Sequence, residues 1–121
     1  MYQIIEQANN RIEIALTDNL TRDEFIQIVH NLESLISTYG NISILFDATS
    51  LELYEFKIVL DEFEFYKSYK NKIDRIAIIS QSELHNFFLS IFEKFTEIEI
   101  KTFIPAENKE ARKWVFPSRL P

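Results

Sequence analysis

The sequence predicts an α/β fold: a five-stranded mixed sheet, mostly parallel, with about four helices in the order ββαβαβαβα. Three observations carry this. Short β-prone runs alternate with segments whose apolar residues recur at helical spacing. Two of the runs, at 42–46 and at Ile73–Ile79, are nearly continuous apolar stretches, as in parallel strands buried on both faces. Helix-start signals stand at the boundaries, the clearest being Thr21 with Glu24.

The runs 2–7 and 11–16 are β-prone, with Ala8, Asn9 and Asn10 between them. Asn tolerates positive φ, so a hairpin turn is expected there. Ile12, Ile14 and Leu16 alternate with Glu13 and Ala15, the period of a half-buried strand. The first helix opens on a T-x-x-E capping box, with Leu20 and Phe25 at the staple positions. Phe25, Ile28, Val29, Leu32, Leu35, Ile36 and Tyr39 form its apolar stripe, and Gly40 follows where a C-terminal cap is wanted.

The third strand ends at Asp47, and a second helix is expected over about 52–69. After the fourth strand, Ser80 with Glu83 offers a capping box, and Ser82 is an alternative cap. Leu84, Phe87, Phe88, Ile91, Phe92 and Phe95 then fall on one side of a third helix. In 97–104, Ile98, Ile100, Thr102 and Ile104 alternate with Glu97, Glu99 and Lys101, so one face is wet and the strand lies near a sheet edge. Pro105 suits a helix start, and Ala111, Trp114 and Val115 dock a last short helix before Pro117. Right-handed crossovers make strands three to five parallel; the hairpin adds an antiparallel component. There is no repeat or linker, so residues 1–121 read as one domain.

Composition removes several chemistries. There is no cysteine, which excludes disulfides, zinc-thiolate sites and thiol catalysis and fits a reducing compartment. The start MYQIIEQ has no basic region leading into an apolar stretch, and no apolar run approaches a bilayer span. A cytoplasmic protein is expected. Net charge is −6, spread along the chain, and the basic cluster Lys67, Lys70, Lys72 and Arg75 is diluted by Glu62, Glu64 and Asp74. Nucleic acid is therefore not an expected partner. The one glycine, Gly40, rules out the Gly-rich phosphate loops, and no cofactor is expected.

Few residues point to chemistry. His30 and His85 lack a carboxylate or second histidine at ligand spacing on the same face, so they read as boundary or surface residues and no metal is expected. Asp47, Thr49 and Ser50 follow strand three; Ser80, Gln81 and Ser82 follow strand four. Both clusters lie beyond the carboxyl ends of strands, the usual ligand crevice of open α/β sheets. Capping and turn chemistry explains the same residues. No base is visible beside either serine, so no catalytic residue is assigned. The pairs Glu6/Glu13 and Glu97/Glu99 read as solvated strand faces.

The second helix is unusual. Phe56, Val59, Leu60, Phe63 and Tyr66 make one stripe, expected to cover the sheet, while Tyr54, Ile58, Phe65 and Tyr69 make another on roughly the opposite side. The second stripe fits a subunit interface, a lid over an apolar ligand or a membrane contact. Two-fold pairing through it is the simplest way to bury it. Phe56, Phe63, Phe87, Phe88 and Phe92 are the expected lining of any apolar cavity between the second and third helices.

The chain resembles SpoIIAA-like proteins of the STAS superfamily. The resemblance rests on the element order and on L-T-R-D-E-F, Y-G-N-I-S-I-L-F-D, I-D-R-I-A-I-I-S and F-x-x-F-x-x-x-E-I-K-T-F, and spans nearly the whole chain. It implies a regulatory module acting through protein contacts. STAS antagonists bind a partner kinase and are switched by phosphorylation of a serine at a helix start, in a D-S-S-G-like segment after strand three. Here the segment reads FDATSLELYEF, with Ser50 as its one serine and no Ser-Ser-Gly, so no phosphorylation switch is expected at Ser50. The SpoIIAA-like proteins also resemble CRAL-TRIO (Sec14-type) lipid-binding domains, which implies an apolar ligand or a membrane-associated role. The expected function is thus non-enzymatic binding through a homodimer or a protein partner. Carriage or sensing of an apolar small molecule is the alternative.

Overall fold

The computed structural model describes residues 1–117, apart from the side chain of Tyr54. In chain order the elements are β1 (Tyr2–Ala8), β2 (Arg11–Leu20), α1 (Arg22–Tyr39), β3 (Ile42–Tyr54), α2 (Phe56–Ser68), β4 (Ile73–Ile79), α3 (Glu83–Thr96), β5 (Glu99–Phe103), a 3₁₀ turn (Pro105–Glu107) and α4 (Asn108–Val115). The five strands lie side by side in sequence order. β1 pairs antiparallel with β2 through a tight turn in which Asn9 has φ 53°; the other three pairings are parallel. β3 and β4 are interior, as their apolar runs require, and β5 is an edge.

Strand periodicity divides the core in two. Ile12, Ile14, Ile44, Phe46, Ile76, Ile78 and Ile100 face a layer built by α1, α2 and α3. Residues of the opposite parity, Leu45, Ala77, Ile79 and Phe103, meet Ala111 and Val115 of α4. Every crossover between neighbouring parallel strands thus runs over one face, and α4 closes the other.

Local signals position the helices. At the start of α1 the Thr21 hydroxyl accepts from the Glu24 amide, and the Glu24 carboxylate accepts from the Thr21 amide. α1 ends at Gly40 with φ 87°, a conformation open to glycine without the Cβ penalty. Ser82 caps α3, accepting from the His85 amide, while the Ser80 hydroxyl accepts from the Ser82 amide. Ser82, the alternative cap, is thus the one used, and Ser80 braces it.

The second helix starts later than its apolar pattern implies. Residues 50–54 continue β3 beyond the end of its pairing with β4 and pair with 17–20 of β2. That ladder satisfies backbone groups of the LELY segment, so α2 begins at Phe56. Asp47, Thr49 and Ser50 consequently lie within a strand, and the Asp47 carboxylate accepts from the Thr49 amide and hydroxyl.

Candidate functional site

The layer of α1, α2 and α3 decides which side of each helix is free. α2 lies between its neighbours: Arg22 of α1 makes a bidentate ion pair with Asp61 at 2.8 and 3.2 Å, and the Tyr69 hydroxyl donates to Glu33 of α1. Ile58 and Phe65 are 3% and 5% exposed and belong to the main core. Tyr69 is half-buried against that core. The stripe expected to face outward therefore faces inward, and Ile58 and Phe65 are not available as a contact surface. Tyr54, its fourth member, closes β3, and its side chain lies outside the described residues. The reason is geometric: the buried face of α2 falls between the two apolar stripes, so it takes Val59 and Tyr66 from the stripe expected to cover the sheet as well as Ile58 and Phe65 from the other, and leaves Phe56 and Leu60 outside.

What remains outside is the line Phe56, Leu60 and Glu64, with Phe63 half-buried beside it. α3 contributes the matching surface. Its buried row is His85, Leu89, Phe92 and Thr96, so Leu84, Phe87 and Phe95, expected on the apolar inner side, point to solvent. Phe56, Leu60, Leu84, Phe87 and Phe95 are 61, 52, 66, 59 and 70% exposed. Ring contacts join the two helices into one face: Phe56–Phe88 at 5.9 Å, Phe63–Phe92 at 5.0 Å and Phe63–Phe95 at 6.5 Å, with Phe87–Phe88 at 5.8 Å along α3. With about 200 Å² for a fully open phenylalanine, Phe56, Phe87 and Phe95 alone expose about 400 Å² of residue surface. The leucines and half-buried Phe63, Phe88 and Ile91 bring the face to roughly 600 Å², at the top of what an ordinary monomer shows.

Beneath this face lies a buried polar pair. The Glu62 carboxylate on α2 is 3.0 Å from Nε2 of His85 on α3, and it accepts from the Tyr66 hydroxyl at 2.7 Å. All three residues are buried. A carboxylate only accepts, so Nε2 carries the hydrogen. Burial pulls the imidazole towards its neutral form. The charge and hydrogen bond of Glu62 more than reverse this, so the His85 pKa lies above its ordinary 6.5. The Tyr66 phenol is pushed well above its ordinary range, first by burial and then by Glu62. His85, read from sequence as a boundary or surface residue without a carboxylate, is thus a buried residue with one. The partner lies on another helix, which same-face spacing cannot reveal. The legible signals were modest: Glu62 sits four residues from both Ile58 and Tyr66 in an inward row, and His85 begins the row continued by Leu89.

Two depressions flank the pair. A cleft of about 20 Å³ lies between Leu16, Leu20, Phe25, Phe46, Leu51 and Glu62, with His85 at its rim. A more polar vestibule of about 110 Å³ is lined by Thr49, Glu52, Ser80, Gln81, Ser82 and His85. Ser80 therefore lies at the expected strand-end crevice. Asp47 and Ser50 line a different depression, of about 420 Å³, with Thr17, Pro105, Asn108 and Arg112. The aromatic residues expected around a cavity line neither the cleft nor the vestibule: Phe92 is buried in the core, Phe63 and Phe88 are half-buried, and Phe56 and Phe87 are open. Glu13, expected in a solvated pair with Glu6, is buried and held by Arg112 of α4 at 2.8 and 3.0 Å. His30 is exposed, as expected. Among the described residues no helix is long and apolar enough to cross a membrane.

A sequential mixed sheet with three crossovers on one face and a short helix on the other defines a STAS-type α/β domain, here carrying an exposed aromatic face. The chain belongs to the SpoIIAA-like family, whose model matches residues 11–115. It is similar to the crystal structure of an uncharacterized DUF3478-family protein with a SpoIIAA-like fold from Shewanella loihica PV-4. The identity is 24% over 94% of this chain and 93% of that one, with a TM-score of 0.72. It is also similar to the anti-sigma factor antagonist SpoIIAA in its unphosphorylated form, at 15% identity over 93% of this chain and 96% of that one, with a TM-score of 0.58. No curated protein matches the sequence. At these identities the two structures establish the fold.

Proposed function

We propose that this protein is a non-enzymatic regulatory module that works through protein–protein contacts, and that it pairs with a second copy of itself through the aromatic face of α2 and α3. Family membership supports the general reading, because SpoIIAA-like domains are typically interaction modules. The observation that carries the particular one is the exposure of five large apolar side chains on a single two-helix face. Burying each is worth about 1.5–3 kcal/mol. Two such faces together offer roughly 1,200 Å², the lower end of a stable specific interface. Exposed Glu55, Glu64, Lys67 and Glu83 border the apolar residues, the polar rim such interfaces have.

Carriage of an apolar small molecule or lipid is the weaker alternative. The cleft beside Glu62 has room for about one water molecule, so a ligand would require α3 to move. A net charge of −6 and the acidic rim disfavour docking on an anionic membrane.

Sedimentation equilibrium tests the reading. The wild-type chain is expected to dimerise at micromolar concentration. Phe87→Asp or Leu60→Asp should shift it to monomer with an unchanged circular-dichroism spectrum, and Ile26→Asp, on exposed α1 surface, should not. A wild-type chain still monomeric at about 100 μM, well above an ordinary micromolar dimer constant, sinks the dimer.

A further inference from the structure

We propose that Glu62 and His85 form a proton-sensitive latch between α2 and α3: with His85 protonated the seam is held more tightly, and with His85 neutral the first turns of α3 open over the vestibule more often. The geometry of the seam supports this. His85 is the third residue of α3, so its bond to Glu62 ties down the end of the helix that follows the Ser80–Ser82 turn. Its ring borders both the apolar cleft and the polar vestibule, and the vestibule gives water a route to the pair. The next residue, Asn86, has its side-chain oxygen buried without a hydrogen-bond partner, a cost that opening would relieve.

The charges around His85 explain why one proton decides the balance. Burial opposes the imidazolium, and so does the positive end of α3. From α2 it faces the Glu62 carboxylate, with the Tyr66 phenol behind. From β3, Glu52 lines the same vestibule; its own helix carries Glu83 in the first turn. Among the described residues, the Ser80–Ser82 turn and the cleft residues of β2, β4 and α1 add no ionisable group. Glu62 is the group that raises the histidine's pKa. The sign follows. A pKa raised on closing means that the contribution is complete below about 6.5, the unfolded value, and is lost as pH rises through the higher value of the closed form.

The consequence for the aromatic face rests on the reading given above, because that face is assembled from rings on both helices and changes shape when α3 moves. The test separates the two ideas. Proton NMR should show His85 of the full chain titrating above 6.5. Amide exchange in the first two turns of α3, corrected for intrinsic rates, should report opening that increases roughly three- to tenfold between about pH 6 and about pH 9. In Glu62→Gln, His85 should titrate below 6.5 and the pH dependence of opening should vanish. If Glu62→Gln does not fold, His85→Gln serves for the exchange measurement, and the wild-type titration stands by itself. A wild-type His85 titrating at or below 6.5 overturns the latch, as does opening that keeps its pH dependence in either variant. A chain that never dimerises but shows these shifts refutes the dimer and supports the latch. A dimer without them does the reverse.

Discussion

Glu13 and Arg112 show how a buried charge is tolerated in this protein. The carboxylate projects from β2 towards α4, is 5% exposed as a residue, and is met by two guanidinium nitrogens. Arg112 also reaches Asn108, so one side chain ties the last helix to the sheet and to its own first turn. Removing it leaves an uncompensated buried carboxylate. Such losses cost about 3–5 kcal/mol for fully buried pairs; with the Arg112 side chain 41% exposed, about 2 kcal/mol is expected for Arg112→Ala in urea denaturation. Arg112→Lys should recover only part of it, because an ammonium cannot match the bidentate geometry. A cost for Arg112→Ala below about 0.5 kcal/mol would mark the pair as surface-like.

α3 is where helix signals and packing diverge. Its start is well specified: Ser82 caps it and Ser80 braces the cap. Its inner row is mixed, with His85 and Thr96 framing Leu89 and Phe92, while three large apolar residues lie outside. Stability at its N-terminus therefore depends on the cap and the Glu62 contact more than on apolar burial. Ser82→Ala should weaken the first turn by about 1 kcal/mol and quicken exchange of the His85 amide about fivefold. Thr21→Ala removes a similar cap from α1, but α1 buries five apolar residues, so exchange through its middle turns should hardly change. Equal acceleration along both helices would contradict this difference.

For the molecule as a whole, the sheet's two faces divide the labour. Three helices build the large core on one side, and α4 seals the other with a small cluster. The aromatic face lies on the outside of the three-helix layer, so pairing through it would bury surface without disturbing the sheet. Association then stabilises the folded chain by mass action. The melting temperature should rise by several degrees over a hundredfold increase in wild-type concentration and stay constant in Phe87→Asp. A wild-type melting temperature independent of concentration would count against the dimer.

The element order, the interior position of β3 and β4, the α1 cap and the edge position of β5 were legible because each depends on local chemistry or on a short apolar period. Asn9 and Asn10 mark a turn and Gly40 an end wherever the rest of the chain lies. The outward side of α2 was only partly legible: Val59 and Tyr66 face inward as expected, but the buried face lies between the two stripes, and only neighbours in space set its position. The Glu62–His85 pair was out of reach for a related reason: its members are 23 residues apart on different helices, and their meeting depends on how α2 and α3 lie across the sheet. Glu13 and Arg112, 99 residues apart, meet in the same way. Local periodicity identifies strands, helices and their ends, because backbone hydrogen bonding and side-chain alternation act over a few residues. Which apolar side chains of a helix are buried, and which charges become partners, is set by long-range packing, and on those choices the candidate surface and its latch depend.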